Sequence, residues 1–358
     1  MQLSWKIGFE IEYLAPRNYS RKDLACAIAS FYGGHITRIF HQQVEPSLVP
    51  DQPVFDNLTL GFKVNDREDQ LIALCVDDLT LQNDLQKSCL PKQGWYRIVS
   101  DDTRILQLIR CHCDPNLPID QVLIRLAELF HTTLQADGSG MHRVIDASGK
   151  SVAIVAPLPG ERERPCELVT APIAEHHRER LGCLLDLVNQ LQFQIPAEAA
   201  THLHFDATCF NSPDLFKNLV LVYRKYHVLL EHMFPPNRRC RRLGAWPNQL
   251  FDLISHSSFE TLGWPDARQL LAELPLTKYC NYNLINIINQ DPIKPTFEIR
   301  NLPAMLDCES ILSAAIVHEA LLTFACQLPQ CFDPTPVPAT NQTIDEFLTL
   351  LGVPRDVL

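Results

Sequence analysis

Four short segments of the chain alternate between apolar and polar side chains, which is the pattern of strands with one buried face and one polar face. The first is Gly8-Phe9-Glu10-Ile11-Glu12-Tyr13, in which Glu10 and Glu12 share a face. The polar face of segment 165–170 carries Glu167, and that of segment 201–206 carries His202, His204 and Asp206. The polar face of segment 296–300 carries Glu298 and Arg300.

Each of these strands alone could be a half-buried edge that turns its polar residues toward water. If the four belong to one sheet, however, its polar face collects Glu, His and Arg almost exclusively, which are groups that bind metal or phosphate. Neighbouring carboxylates repel one another, so in a cleft a cation or cationic side chains must offset their charge. The four segments together therefore predict a site for hard cations and phosphate.

Periodicity and turn residues also predict the other elements. Further strands are expected at 60–64, 71–76 and 95–99 with a hairpin at 144–155, and helices at 21–32, 118–134, 175–192, 213–234, 309–326 and 343–351. No break in composition marks a linker before Gln327. We therefore expect one catalytic domain at 1–327, followed by a Pro-rich segment at 328–358 whose short helix packs on that domain.

Four charged segments allow two interpretations each. Asp78 and Asp102 both lie in paired acids beside a hydroxyl, and either could line a pocket for an amine or form a polar turn. The loop 158–164, whose charged part is Glu161–Arg164, could be a lid or substrate contact, or a solvated loop. The segment 238–242 holds Arg238, Arg239, Arg241 and Arg242; since these oppose a net charge of -11, binding to phosphate or carboxylate is favoured over a solvated basic loop.

Composition narrows the class of protein. With 46% hydrophobic and 20% charged residues, the chain can form a sizeable core. Its net charge of -11 disfavours binding to nucleic acid or to an anionic membrane, and no stretch approaches the length of a membrane span. The thirteen cysteines are scattered through apolar runs and no secretory signal is recognisable, so we expect reduced thiols and a cytoplasmic protein. Oligomeric state has no signal in the sequence.

The ordered motifs Gly8-Phe9-Glu10-Ile11-Glu12, Glu167-Leu168-Val169-Thr170-Ala171-Pro172, His202-Leu203-His204 and Phe297-Glu298-Ile299-Arg300 resemble those of the amidoligase family. That family belongs with the carboxylate–amine ligases related to glutamine synthetase and glutamate–cysteine ligase. The resemblance extends from Gly8 to about Phe324. It implies an α+β fold like the glutamine synthetase catalytic domain, in which a curved, mainly antiparallel sheet with flanking helices holds ATP and two or more Mg²⁺ ions, or Mn²⁺, on its concave face.

The resemblance also implies roles for individual residues. It assigns metal binding to Glu10, Glu12, Glu167 and Glu298, joined by His204 or by His202. It assigns contacts with the nucleotide to His202, His204, Arg238, Arg239, Arg242 and Lys278. It assigns the catalytic step to Arg300, Glu298 and Arg241.

The chemistry expected of such a site is amide or peptide bond formation. A carboxylate carbon is a poor electrophile, so ATP-dependent ligation begins by converting the carboxylate into an acyl phosphate, and metal ions and arginines allow the anionic oxygens to approach. Alternatives are a metal-dependent hydrolase that uses the same carboxylates, or a binding protein that has lost turnover. The expected substrates are a small-molecule or peptide carboxylate and an amine, which the sequence does not identify.

Overall fold

The computed structural model describes residues 2–49, 52–240, 243–292, 294–328 and 332–358, with side chains left out at 45–49 and 52–54. As predicted, the fold is α+β, with a large, mostly antiparallel, unclosed sheet and flanking helices. The strands are β1 (Ile7–Leu14), β2 (His35–Val49), β3 (Gln52–Asn65), β4 (Leu71–Val76), β5 (Tyr96–Val99), β6 (Gln135–Ala136), β7 (His142–Ile145), β8 (Ser151–Pro157), β9 (Pro165–Thr170), β10 (Ala200–Asp206), β11 (Tyr282–Asn283) and β12 (Thr296–Pro303). The α-helices are α1 (Arg21–Phe31), α2 (Thr103–His112), α3 (Ile124–Leu129), α4 (His177–Gln190), α5 (Pro213–Met233), α6 (Asn248–Ser255), α7 (Trp264–Ala272), α8 (Ile285–Ile288), α9 (Cys308–Cys326) and α10 (Asn341–Leu351).

The chain divides into two compact units, which are described separately below. Unit 1 consists of Met1–Ile11, Pro172–Leu185 and Ala199–Leu358. Unit 2 consists of Glu12–Ala171 and Asp186–Glu198.

In unit 1 the strands follow the order β11-β12-β10-β1. One face of this sheet is a hydrophobic core, because alternate residues such as Phe9, Leu203 and Phe297 have no solvent exposure. Helix α5 packs on that face, with the ring centroid of Tyr223 4.9 Å from that of Phe297. The other face carries the residues between these, which include Glu10, as the alternation predicts.

The C-terminal helix α10 also packs in unit 1. Its buried residues are Ile344, Phe347 and Leu348, and the ring centroid of Phe347 lies 4.6 Å from that of Tyr226 in α5. Thr340 caps the helix by accepting a hydrogen bond from the Thr343 amide. The predicted short helix of the C-terminal segment therefore forms and is held by apolar contacts.

Helix α9 corrects the expectation that no segment reaches the length of a membrane span. Among the described residues it is the one helix long and apolar enough to cross a membrane, with 19 residues and a mean hydropathy of 1.4 over its most apolar window. However, 61% of that window is buried inside the protein, as in the core helix of a soluble protein. Within this helix, His318 lies 3.0 Å from the hydroxyl oxygen of Tyr223, measured at Nδ1.

The buried His318 should make stability depend on pH. Burial lowers the pKa of its imidazole to about 3, so the folded protein keeps it neutral, whereas the pKa in an unfolded chain is about 6.5. The unfolded chain therefore binds the extra proton, and this residue should remove about 1.4 kcal/mol of stability between about pH 7.5 and about pH 5.5. Urea titrations at both pH values should show that His318→Phe loses this part of the pH dependence. A variant with the same pH dependence as the wild type would contradict the expectation.

In unit 2 the strands follow the order β9-β4-β3-β5-β8-β7-β6, and β2 pairs with β3. Strand β2 takes one edge of β3, so β4 and β5 lie along the other edge, where they pair with 62–65 and 57–59 respectively. The core face of β3 consists of Leu58, Leu60, Phe62 and Val64, each at most 1% exposed. Helix α1 packs against it, where the Arg21 guanidinium donates from Nε to the Leu60 carbonyl.

In unit 2 one predicted helix is shorter than expected, and one helix was not predicted. The helix expected at 118–134 is limited to α3, because 118–123 forms turns that still bury Val122 and Leu123. The unpredicted helix α2 begins after Asp102, whose carboxylate accepts the Arg104 amide proton as an N-cap. Asp78 likewise accepts hydrogen bonds from the amide and hydroxyl of Thr80, so both acids make polar-turn contacts.

The charged segment Glu161–Arg164 is neither a lid nor a solvated loop. All four residues are at most 9% exposed. Arg162 Nη2 lies 2.9 Å from Asp77 Oδ1, and Arg164 pairs with Glu161. These buried ion pairs form part of the internal structure of unit 2 and leave no charged side chain of the segment facing water.

Candidate active site

The polar face of the unit 1 sheet gathers carboxylates and imidazoles from three neighbouring strands. Glu10 of β1 pairs with His202 of β10, and His204 of β10 pairs with Glu298 of β12. Directly paired residues project to the same face with Cβ atoms about 4.5–5.5 Å apart. The four side chains are therefore neighbours, and each residue is at most 9% exposed.

Strand β12 bulges beside this cluster. Leu203 pairs with Ile299 but Thr201 pairs with Leu302, so β12 has one residue more than β10 between these pairs. The two residues Arg300 and Asn301 on β12 therefore lie opposite the single residue His202 on β10. A bulge bends a strand and changes the direction of its side chains. The Arg300 amide donates to the carbonyl of Asn281, 2.9 Å away, on the segment that leads into β11.

The ligand atoms of Glu10, His204 and Glu298 lie close enough to hold one cation. They all fall within 4.8 Å of one another. His204 Nε2 is 2.9 Å from Glu10 Oε1 and 3.7 Å from Glu298 Oε1. His202 Nδ1 lies beside them, 3.4 Å from Glu10 Oε2 and 3.7 Å from Glu298 Oε1.

The surroundings of His204 fit the role of a metal ligand. Its Nε2 atom is buried and has no hydrogen bond of good geometry, although Glu10 is close. Its Nδ1 atom lies 3.3 Å from the Thr296 hydroxyl, which in turn accepts a hydrogen bond from Asn286 Nδ2. If Nδ1–H donates to Thr296, Nε2 presents its lone pair to the carboxylates, as in metal sites where a neighbouring acceptor fixes the tautomer.

Cationic and amide groups surround the two carboxylates. Lys294 Nζ lies 2.7 Å from Glu10 Oε1, and the Arg300 guanidinium pairs with Glu298 through Nη1. Asn283, which pairs with Glu298 in the sheet, donates from Nδ2 to Glu298 Oε2 over 2.7 Å. These contacts supply the positive charge that two adjacent carboxylates need when no metal ion is bound.

Burial and neighbouring charges both shift the pKa values of the ionisable groups in the cluster. Burial alone raises the pKa of Glu10, but the charges of His204 and Lys294 hold it well below the usual range. Burial likewise raises the pKa of Glu298, but the charges of His204 and Arg300 outweigh burial. The pKa of Glu298 therefore lies below its usual value. Burial and the charge of Arg300 lower the pKa of His202. At neutral pH the site therefore offers ionised carboxylates and a neutral His202 imidazole, the forms that bind cations.

The contacts described above do not include the remaining predicted site residues. Arg238 and Arg239 are exposed after α5, and Lys278 is exposed with Nζ 5.3 Å from the ring centroid of Tyr279. Arg241 and Arg242 lie outside the described residues. Their roles stay predictions.

Two hydrogen bonds connect Gly244, which lies just beyond the arginine-rich segment, to Arg300 of the site. The Asn281 amide donates to the Gly244 carbonyl over 2.7 Å, and the Asn281 carbonyl accepts from the Arg300 amide over 2.9 Å. Gly244 directly follows the arginine-rich segment and Leu243. Gly244 is thus linked to Arg300 through Asn281.

Glu12 and Glu167, the other predicted metal ligands, belong to unit 2. Glu12 is 6% exposed and Glu167, which pairs with Val76 of β4, is partly buried. Their part in metal binding stays a prediction.

Sequence reasoning missed three residues that contact the cluster, namely Lys294, Asn283 and Thr296. Lys294 lies in the turn Gln290-Asp291-Pro292-Ile293-Lys294-Pro295, which has no periodic pattern to mark it. Asn283 lies in the segment 276–284, whose mixture of donors and aromatics was a usable signal. Thr296 begins the Glu298 strand and shares a face with it, so strand alternation could have identified it.

Comparison with known proteins identifies the family. The profile of the family described as "putative amidoligase enzyme" matches residues 3–322. No curated protein and no solved structure matches the chain significantly. The profile covers all four motifs and nearly the whole chain. The chain therefore belongs to the putative amidoligase enzyme family, whose description implies a ligase-type enzyme that acts on small molecules.

Proposed function

We propose that this protein is an ATP-dependent carboxylate–amine ligase that forms an amide or peptide bond through an acyl phosphate. The observation that carries the proposal is the buried cluster of Glu10, His204 and Glu298, with Lys294 and Arg300 in contact with its carboxylates. A site that brings ATP and a carboxylate together must offset several negative charges at once.

The donor set supports Mg²⁺ or Mn²⁺ as the cation. Two carboxylates and one imidazole suit these ions better than zinc, which favours thiolate and several imidazoles. Glu10, His204 and Glu298 would hold the ion, and bound Mg-ATP would supply the phosphoryl group to be transferred and draw the anionic oxygens together.

The residues of the chain have distinct parts in this reaction. The Glu10 and Glu298 carboxylates would hold the cation, and Thr296 would orient His204 from the side opposite its ligand atom. Arg300 and Lys294 place positive charge beside the transferring phosphoryl group. Asn283 fixes the rotamer of Glu298 through its 2.7 Å hydrogen bond.

The bonds change in two steps. An oxygen of the substrate carboxylate bonds to the γ-phosphorus as the bond to the ADP oxygen breaks. The amine nitrogen then attacks the acyl carbon, inorganic phosphate leaves with that carboxylate oxygen, and the amine loses a proton. The products are ADP, phosphate and an amide.

We also infer a cytoplasmic setting and small-molecule or peptide substrates. No disulfide joins the cysteines that the structure describes, which supports a reducing compartment. The family description supports small-molecule substrates.

A screen for ADP release tests the proposal. The protein is incubated with Mg-ATP and pools of amino acids, short peptides and other carboxylates with amines, and positive pools are examined by mass spectrometry for the condensed product. The proposal predicts ADP formation that needs both an acid and an amine and a product lighter by one water than their sum. Turnover without ATP would instead indicate a metal-dependent hydrolase, and release of AMP would indicate adenylation.

A further inference from the structure

A row of three polar residues crosses the unit 2 sheet. His41 of β2 pairs with Thr59 of β3, and Thr59 pairs with Arg97 of β5. Cross-strand partners project to the same face, so an imidazole, a hydroxyl and a guanidinium stand side by side, with Cβ atoms about 4.5–5.5 Å apart. The face is the one opposite the core residues Leu58 and Leu60.

This face is polar but not solvated. Thr59 and the next residue on the same face, Asn57, have no solvent exposure, whereas His41 and Arg97 are partly exposed. The Thr59 hydroxyl oxygen is buried and has no hydrogen-bond partner among the described residues. A buried hydroxyl without a partner is costly, so it points to a group that the protein binds there. The centre of the row, at Thr59, is thus buried, whereas its two ends, at His41 and Arg97, are partly exposed.

The same face of unit 2 carries Glu167, one of the predicted metal ligands. Glu167 pairs with Val76 of β4. Val76 lies beside Gly61, because a Cβ atom built on Gly61 would be 2.9 Å from Val76 Cγ1. Gly61 and Thr59 are two residues apart on one strand, a spacing of roughly 7 Å. Since the side chains of Val76 and His41 already fill the space beside position 61, only glycine fits there between the row and the strand pair that carries Glu167.

The chemistry of the row suits one planar anion. A guanidinium binds a carboxylate with two parallel hydrogen bonds, and a hydroxyl and an imidazole can complete the oxygen contacts. A phosphate group, with three oxygens and more charge, is usually held by several cations or by backbone amides, and the row has one permanent cation.

We propose that Arg97, Thr59 and His41 form a subsite for a free carboxylate of an amino-acid or peptide substrate, distinct from the carboxylate that is activated. The proposal rests on the proposed ligase function, because a ligase must hold its acid substrate by a group that does not react. It restricts the substrate class to acids that carry a second carboxylate, such as the free C-terminus of a peptide.

Ligand-observed NMR without ATP or metal tests the subsite. The probes are the common amino acids and alanyl-alanine, and the matched controls are the same compounds with an amidated C-terminus. We expect at least one free acid to bind to the wild type and its amide to bind about tenfold more weakly or not at all. Arg97→Gln should weaken the acid about tenfold or more, and Thr59→Val, which keeps the shape of the side chain, should weaken it several-fold.

The outcomes separate this proposal from the proposed function. Equal binding of acids and amides, no binding of any acid, or unchanged binding to a folded Arg97→Gln variant would overturn the subsite. Displacement of the acid by inorganic phosphate at equal concentration would overturn it in favour of a phosphate site. If acids bind through Arg97 but ADP release is never found, the ligase function fails and the subsite remains. If ADP release is found and Arg97→Gln leaves kcat/KM unchanged, the subsite fails and the ligase function remains.

Discussion

Glu298→Gln is expected to lower the affinity for Mn²⁺ by more than about a hundredfold and to abolish ATP-dependent turnover, because it removes a charged ligand from the cluster. Mutation of groups that only orient a ligand already costs about 10–100-fold in metal affinity, so loss of a ligand should exceed that. Isothermal titration with Mn²⁺ measures the first effect without any knowledge of the substrate.

Two further measurements make the Glu298 result interpretable. Glu298 pairs with Arg300 and accepts a hydrogen bond from Asn283, and its pKa lies below the usual range, so its charge also stabilises the metal-free protein. The variant should therefore be checked for folding by circular dichroism at the titration temperature. Glu309→Gln removes an exposed carboxylate that pairs with Arg178 in the same unit and serves as the matched control. A folded Glu298→Gln variant that binds Mn²⁺ as tightly as this control would refute the metal assignment.

The second large effect concerns stability and lies in unit 2. Asp77→Ala should destabilise the protein by about 3–5 kcal/mol, since it leaves buried cations without their counter-charge. Asp77 has no solvent exposure, and its oxygens lie 2.9 Å from Arg162 Nη2 and 3.8 Å from Arg21 Nη2. Burial lowers the pKa of the Arg21 guanidinium and Asp77 raises it, so the two effects oppose each other.

Urea unfolding measures this effect against an exposed ion pair. Asp345→Ala breaks the pair with Arg355, in which both side chains are more than half exposed, and should cost at most about 1 kcal/mol. The double variant Asp77→Leu with Arg162→Met should recover part of the lost stability, because it removes opposite charges together. Equal losses for the buried and the exposed substitution would show that the Asp77 network contributes little.

Strand alternation was sufficient to predict which residues share the polar face. Each motif strand has buried apolar residues between its charged ones, so the side-chain period of two placed Glu10, His204 and Glu298 on one side. Alternation does not fix which residues lie opposite one another. Strand register depends on long-range pairing, so the sequence left open whether His202 or His204 joins the carboxylates. In the structure both lie near the carboxylates, and the ligand atoms of Glu10, His204 and Glu298 fall within 4.8 Å of one another.

The missed features depend on contacts distant in sequence. The bulge at Arg300 arises from the pairing of β12 with β10 and has no glycine or proline to mark it. Lys294 reaches Glu10 across 284 residues of sequence. The segment Glu161–Arg164 was misjudged for the same reason: its composition is that of a surface loop, and the partners that neutralise its charges, such as Asp77, lie far away in the chain.

Transfer of an oxygen label tests the central claim, ligation through an acyl phosphate, most directly. With the acid identified by ADP release, its carboxylate is labelled with ¹⁸O and the products are analysed by mass spectrometry. Because the attacking carboxylate oxygen leaves with phosphate when the amine displaces it, the account predicts one ¹⁸O atom in each inorganic phosphate formed and ADP as the nucleotide product. Label in AMP, or unlabelled phosphate formed together with the amide, would contradict the account.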